Sequence, residues 1–450
     1  MEKIEMNSKL EFGYHQQDIT PKRGISLAGY FNARPNRGAY DRLFVKAAVF
    51  RDGETVSAIA SFDICYLERS IIDRMDAALA KAGSPLAGKV IYSATHTHTG
   101  PQVDALFGVE SDPEYLDSLI ETAAATIIEA YKSLAPAELY TGKTECTTLA
   151  FNRRYFMKGD RVLTNPGKLN PDICRPEGGC DHDIMMIEVH QDGRPVLLIA
   201  NISNHTDTIG GDIVSADWPG RMEAEIQHAL GWDLPVMTII APQGNINHFD
   251  VTSDFDQTSF AEACRIGKAY AAVILASRYR LAKLENCSMQ FRSTEFAAPF
   301  YQLSDAEYAE AKRIYEENKD AVMEAGKDFT SEDIARGVPA VKKFFAERAI
   351  NCREKASKVE RFERQAALIF GDQLAIVTLP AEPFVEIGFA IREKSRFPMT
   401  VLAALSQGEI GYVGLENNYG NEGYELRPSP TLADRSVGET MIKSSLELLK

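Results

Sequence analysis

Short apolar runs alternate with amphipathic stretches through most of this chain, and that alternation limits what it can become. Runs such as 54–64 (ETVSAIASFDI), 89–95 (KVIYSAT), 184–190 (IMMIEVH), 195–203 (PVLLIANIS) and 235–244 (PVMTIIAPQG) have the length and β-branched content of strands. Between them, 70–83, 113–134, 218–230, 260–280 and 384–395 carry helical spacing, the first ending on Gly83 as a C′ residue. Residues 365–371 and 374–380 read as a hairpin across Gly371-Asp372-Gln373. Strands separated by helices define an α/β fold, a layered mixed sheet with flanking helices.

One stretch breaks the pattern. Residues 303–359 are charged and helical, with Ser304/Glu307 and Thr330/Asp333 as capping boxes. They read as an inserted helical hairpin, a solvated arm or alternatively a lid. No repeats or linker-like tracts divide the chain, so residues 1–450 read as a single domain carrying that insertion.

Composition excludes several functions. The formal net charge is −15 and no basic run stands out, which argues against nucleic acid as a partner. No uncharged run is long enough for a transmembrane segment, and the N-terminus lacks the apolar core of a secretory signal, so the expected location is cytoplasmic. The seven cysteines are scattered without a CxxC pair, which favours reduced thiols. Cys174, Cys180 and His182 lie close together, but a plain loop is the better reading. Neither GxxxxGK[ST] nor a strand-borne GxGxxG is present. The oligomeric state is not encoded legibly.

The chemistry concentrates where strands end. Of the eight histidines, His96 and His98 follow 89–95 at spacing two, which on an extended backbone turns both rings to one side. His205 follows 195–203 in a loop with Asp207, Asp212 and Asp217, each a partner for a ring nitrogen or a local turn residue; for Asp217 a helix N-cap is the stronger reading. Glu382 follows 374–380 at the mouth of a helix. After 400–406 comes a loop with Glu409, Tyr412, Tyr419 and Tyr424. Two histidines, a glutamate and an open position make a familiar catalytic zinc set, but over roughly 300 residues spacing alone does not assemble it: a hydrogen-bonded histidine pair and a helix-capping Glu382 fit the same residues.

Taken in order, these segments resemble the neutral, non-lysosomal ceramidases. The matching elements are GYHQQDITPKRGISLAGY, SATHTHTGP, Asn152-Arg153, NHTDTIGGDIVSAD, LPAEPF and GYVGLENNYGNEGYE, from about Gly13 to Glu425. The resemblance implies an α/β catalytic domain with one Zn2+ held by His96, His205, Glu382 and Tyr412. It implies hydrolysis of an amide bond by metal-activated water, with His98 shuttling a proton, Arg153 holding the substrate's polar end and Tyr412 stabilising the oxyanion. The family's serine near the metal falls at Asn247 here. Taken together with the family's C-terminal immunoglobulin-like domain and secretory signal, which the resemblance does not extend to, that departure leads to the expectation of a small-molecule N-acyl substrate, ceramide-like or a smaller N-acyl compound or polar amide. The alternatives are a zinc esterase or lactonase on the same site, or a metal-containing binding protein without turnover.

Overall fold

The computed structural model describes residues 10–105, 109–322, 327, 329–356, 360–421, 423–428 and 430–450. The N-terminal reading of residues 1–9, the end of the insertion at 357–359 and residue 422 of the last motif lie outside them.

Three large sheets pack around one shared core, with a three-stranded sheet and two-stranded pairings beside them. In the first, Glu11–Asp18 (β1), Phe44–Asp52 (β2), Thr55–Phe62 (β3) and Val90–Ala94 (β4) stand in the order β4-β3-β2-β1. The second holds Glu138–Glu145 (β5), Asp183–Gln191 (β6), Arg194–Ile202 (β7) and Val236–Ile240 (β8), ordered β8-β7-β6-β5. The third holds Met289–Ala297 (β9), Phe362–Phe370 (β10), Leu374–Leu379 (β11) and Met399–Ala404 (β12) in sequence order. Tight turns set the registers: Asp192 and Gly193, both at positive φ, close β6 onto β7, and Gly371 at φ 58° opens the expected β10–β11 hairpin.

Side chains alternate between two destinations along each strand. Ala48, Phe50, Ile59, Ile187, Ile199, Leu368 and Ile376 meet between the sheets, with Phe50 5.1 Å from Phe12 and 5.3 Å from Phe370 between ring centroids. Val45, Ala47, Val49, Met186 and Ala200 face outward onto helices Arg69–Lys81 (α1), Pro113–Lys132 (α2), Asp217–Leu230 (α3) and Phe260–Ser277 (α4). Gly83 ends α1 at φ 69°. Among the described residues no helix is long and apolar enough to cross a membrane.

The insertion leaves between β9 and β10 as Asp305–Asn318 (α5), Ser331–Arg336 (α6) and Pro339–Ala356 (α7). Both capping boxes form. Rather than standing free in solvent, the arm docks: Ala311, Ala349 and Cys352 pack in one buried cluster with Phe384, Tyr412 and Tyr419. Helices Val385–Lys394 (α8) and Val437–Leu448 (α9) cover the outer face of the third sheet.

What positions the site is a repeated detail. Each sheet holds one adjacent parallel pair, β3–β4, β7–β8 and β11–β12. The loops leaving the carboxyl ends of these pairs are laced by backbone hydrogen bonds, among them His98 N to Thr206 O, Gly244 N to Pro383 O, Glu382 N to Gly411 O and Ala94 N to Leu405 O.

One core carboxyl offers a pH test. Burial pushes Glu363 up to about 7, against the lowering influence of Arg361 and Arg69. The folded chain therefore keeps this proton at pH values where the unfolded chain, near ~4.3, has lost it. Stability is lost as pH rises from that value through about 7 and stays lost above. Glu363→Gln removes the titration, so its thermal midpoint is expected to match wild type at pH 4 and exceed it at pH 8. Equal midpoints at both pH values would contradict the assignment.

Candidate metal centre and its cavities

His96, His205 and Glu382 come from loops on three different sheets and converge on one point. His96 Nε2 lies 3.1 Å from His205 Nε2 and 3.1 Å from Glu382 Oε2, and His205 Nε2 lies 3.4 Å from the same oxygen. The far side of each ring is anchored: His96 Nδ1 donates to the carbonyl of Cys65 at 2.8 Å, and His205 Nδ1 faces the carbonyl of Gln243 at 3.4 Å. Those carbonyls fix the tautomer and turn both Nε2 lone pairs inward. Two lone pairs at that separation repel unless a cation or proton lies between them. Glu382 Oε2 is buried without a hydrogen-bond partner among the described residues.

The spacing fits a metal. Tetrahedral bonds of about 2.0–2.2 Å to imidazole nitrogen and carboxylate oxygen put ligand atoms roughly 3.3–3.5 Å apart. A second grouping, Cys65 with His96 and His98, is less suited. The Cys65 sulfur lies 3.7 Å from Nδ1 of His96, the nitrogen already given to a carbonyl, and burial pushes the thiol pKa up.

The backbone at His96 corrects the spacing-two argument. β4 stops at Ala94, and His96 sits in the left-handed region at φ 66°. The two rings are brought together by that turn and not by an extended strand; their Nε2 atoms are 3.3 Å apart. A non-glycine residue here costs about 1–3 kcal/mol, tolerated where the surroundings over-determine it. The hydrogen bond from His96 N to Ile64 O is part of that constraint.

His98 is held from several directions. Its backbone carbonyl accepts from Arg34 Nη2 at 2.6 Å, and its Nδ1 lies 3.6 Å from Asp207 Oδ1, which accepts from the Tyr30 hydroxyl at 2.5 Å. Gly29 lies against the ring: a Cβ there would come within 2.5 Å of Nδ1, so any larger residue displaces His98. Of the three acidic residues in the His205 loop, only Asp207 belongs to this site. Asp212 pairs with Arg37 at the surface, and Asp217 accepts from the backbone of Thr208, Ile209 and Trp218. Asp217 sits at φ 55° in the first turn of α3, so it braces the His205 loop besides reaching its own helix.

Arg153 reaches the centre from the other side. Its Nε donates to Glu425 at 2.8 Å, Nη1 stands 3.4 Å from His205 Nε2, and Nη2 is buried without a hydrogen-bond partner among the described residues, with the Tyr412 side chain interacting with the guanidinium. Glu425, fully buried, also accepts from Arg154 at 2.6 Å and Thr164 at 2.8 Å. Tyr412 pairs with Glu382 through the backbone, and its ring centroid is 5.1 Å from the Arg153 guanidinium carbon. Asn247 donates to the side chain of Asn165 at 2.9 Å.

The electrostatics separate the groups. Burial pushes His98 well below the usual imidazole range, helped by the charge of His96; it does the same to His205, helped by Arg153. Burial opposes charge on His96 as well, but Glu382 and Cys65 beside it outweigh that and hold its pKa high. Burial would raise Glu382, and His96 and Arg153 bring it below the ordinary value. Burial pushes the Tyr412 phenol far up, so it remains a donor.

Two cavities flank the centre. One, of about 160 Å³, is lined by His98, Arg153, His205, Tyr412 and aromatic side chains. The other, about 100 Å³, is lined by His96, Glu382, Cys65, Glu68 and Glu409. Sequence reasoning assigned no role to Gly29, Tyr30, Cys65 or Glu425. Gly29-Tyr30 and Glu425 stood inside the quoted motifs, which was the available signal; Cys65 acts through its carbonyl and gave none.

The fold and centre together define a three-sheet α/β protein with a histidine–carboxylate cluster at converging strand ends. That is the fold of the neutral ceramidases. The crystal structure of neutral ceramidase from Pseudomonas aeruginosa superposes with a TM-score of 0.72 at 15% identity, over 98% of this chain and 74% of that one. A ceramidase complexed with C2 matches with a TM-score of 0.72 at 16% identity. By sequence, neutral ceramidases B and A of Dictyostelium discoideum are 28% identical over 162 and 165 residues, 33% and 34% of this chain. Each match spans 23% of the relative's own length. No family model matches the chain.

Proposed function

We propose that this chain is a zinc-dependent hydrolase that cleaves an amide bond of an N-acyl compound. The observation that carries the reading is the triangle of His96 Nε2, His205 Nε2 and Glu382 Oε2, with sides of 3.1, 3.1 and 3.4 Å, beside two cavities. The ceramidase relatives support the amide. Zinc would be held by these three groups, with the Tyr412 phenol as the fourth candidate; when bound it supplies Lewis-acid chemistry, polarising a carbonyl and acidifying water.

The chain's own groups do the rest. Arg153, aimed by Glu425, offers its unpartnered Nη2 to the substrate's polar end. The Tyr412 hydroxyl, kept protonated, donates to oxygen as negative charge develops there. His98, neutral in its buried setting and steered by Asp207, takes a proton at Nε2 and returns it to the departing amine nitrogen.

Purified protein is expected to carry about one zinc per chain and to hydrolyse members of an N-acyl amide panel, losing turnover with a chelator and regaining it with added zinc. Turnover on esters with none on amides would favour the esterase alternative. Zinc without turnover on either would favour a binding protein.

A further inference from the structure

The helical arm reaches the substrate cavity itself. Phe329 and Ile334 line the same 160 Å³ space as His98, Arg153 and Tyr412. Phe329 stands 5.4 Å from Phe31 between ring centroids, and Phe344, on α7, stands 5.1 Å from Phe31 and 5.9 Å from Phe329. The three rings form one contiguous wall, and Phe31 reaches Tyr424 at 6.1 Å. Within the arm, Arg353 on α7 ties back to the start of α5, donating to Asp305 at 2.8 Å and to the carbonyl of Leu303. Ala349 and Cys352 seat the arm on the body, in the cluster that contains Tyr412.

The volume is the second observation. An apolar cavity of about 150 Å³ takes a benzene-sized molecule. The walled part of this cavity, about 160 Å³ and open to solvent, has room for a group of that size, and the aromatic wall stands where a longer chain would continue.

Resting on the amide-hydrolase reading, we infer that the arm is the specificity wall of the site: Phe329, Ile334 and Phe344, closed against Phe31, restrict the acyl portion of the substrate to short or single-ring groups. The polar groups at the inner end, Arg153 and Tyr412, hold the carbonyl end, and the rings stop the chain. The arm belongs to the substrate chamber and not to the scaffold alone.

The test uses the full chain and a series of N-acyl amides of one fluorogenic amine: acetyl, butanoyl, benzoyl, octanoyl and dodecanoyl. Wild type is expected to handle butanoyl and benzoyl, with kcat/KM for octanoyl about 100-fold below butanoyl. Phe329→Ala is expected to narrow that gap at least about tenfold. Ile334→Ala, a milder change, serves should Phe329→Ala fold poorly. A wild type that takes dodecanoyl as well as butanoyl, or variants that leave the ratio unchanged, overturns the wall. Calorimetric binding of butanoate, benzoate and octanoate to the zinc-loaded protein separates the two failures. If no amide is cleaved, the hydrolase reading falls, while octanoate excluded by wild type and admitted by Phe329→Ala still upholds the wall, and equal binding rejects it.

Discussion

His96→Ala is expected to abolish stoichiometric zinc and to lower amide turnover by about a thousandfold, the equivalent of the several kcal/mol that a Lewis-acidic ion contributes to a transition state. The reasoning is geometric. His96 Nε2 is within 3.1 Å of both of the other two converging atoms, so its removal leaves one imidazole and one carboxylate. Added zinc should raise the thermal midpoint of wild type and leave that of His96→Ala where it was, since only a folded site that binds the ion gains from it. His98→Ala is the contrasting variant. It should keep the metal and lose roughly 10²–10⁴-fold in rate, the span of a general acid–base group. Full zinc content in His96→Ala and His205→Ala alike would refute the assignment.

Glu425→Gln is expected to cost about 3–5 kcal/mol of stability, the range for breaking a buried charge pair from one side. Glu425 is fully buried and neutralises Arg153 and Arg154 together, while Arg154 alone keeps a second carboxylate in Glu177. The amide substitution keeps the shape and removes the charge, so Arg153 is left as a buried cation beside His205. Urea unfolding gives the stability loss from the midpoint. Kinetics on the residual folded protein should show a raised KM, because the guanidinium loses its aim. A midpoint within 1 kcal/mol of wild type, on the scale of a surface change, would show that the pair contributes little.

The fold class was legible because the strands that build the inner core are short apolar runs with clear turns, such as 184–190 and 195–203 around Asp192-Gly193. β5 was not read as a strand. Its sequence, ELYTGKTE, is mostly exposed or half-buried, and it becomes a strand by pairing with β6. The candidate ligands stood out as rare polar residues at strand ends, but nothing local shows that they meet, since the loops carrying them belong to three sheets. The Arg153–Glu425 pair spans 272 positions and leaves no spacing signal. Charge dominates α5, which makes the arm look solvated in sequence, whereas its one buried residue, Ala311, packs into the cluster around Tyr412 together with Ala349 and Cys352 of α7.

That the three converging groups come one from each sheet has a thermodynamic corollary. No single layer, expressed alone, would own a chelating pair, so an ion taken up here rivets all three layers at once. Its affinity then registers how well the layers are docked, and loosening any interface, however remote, should surface as faster metal loss.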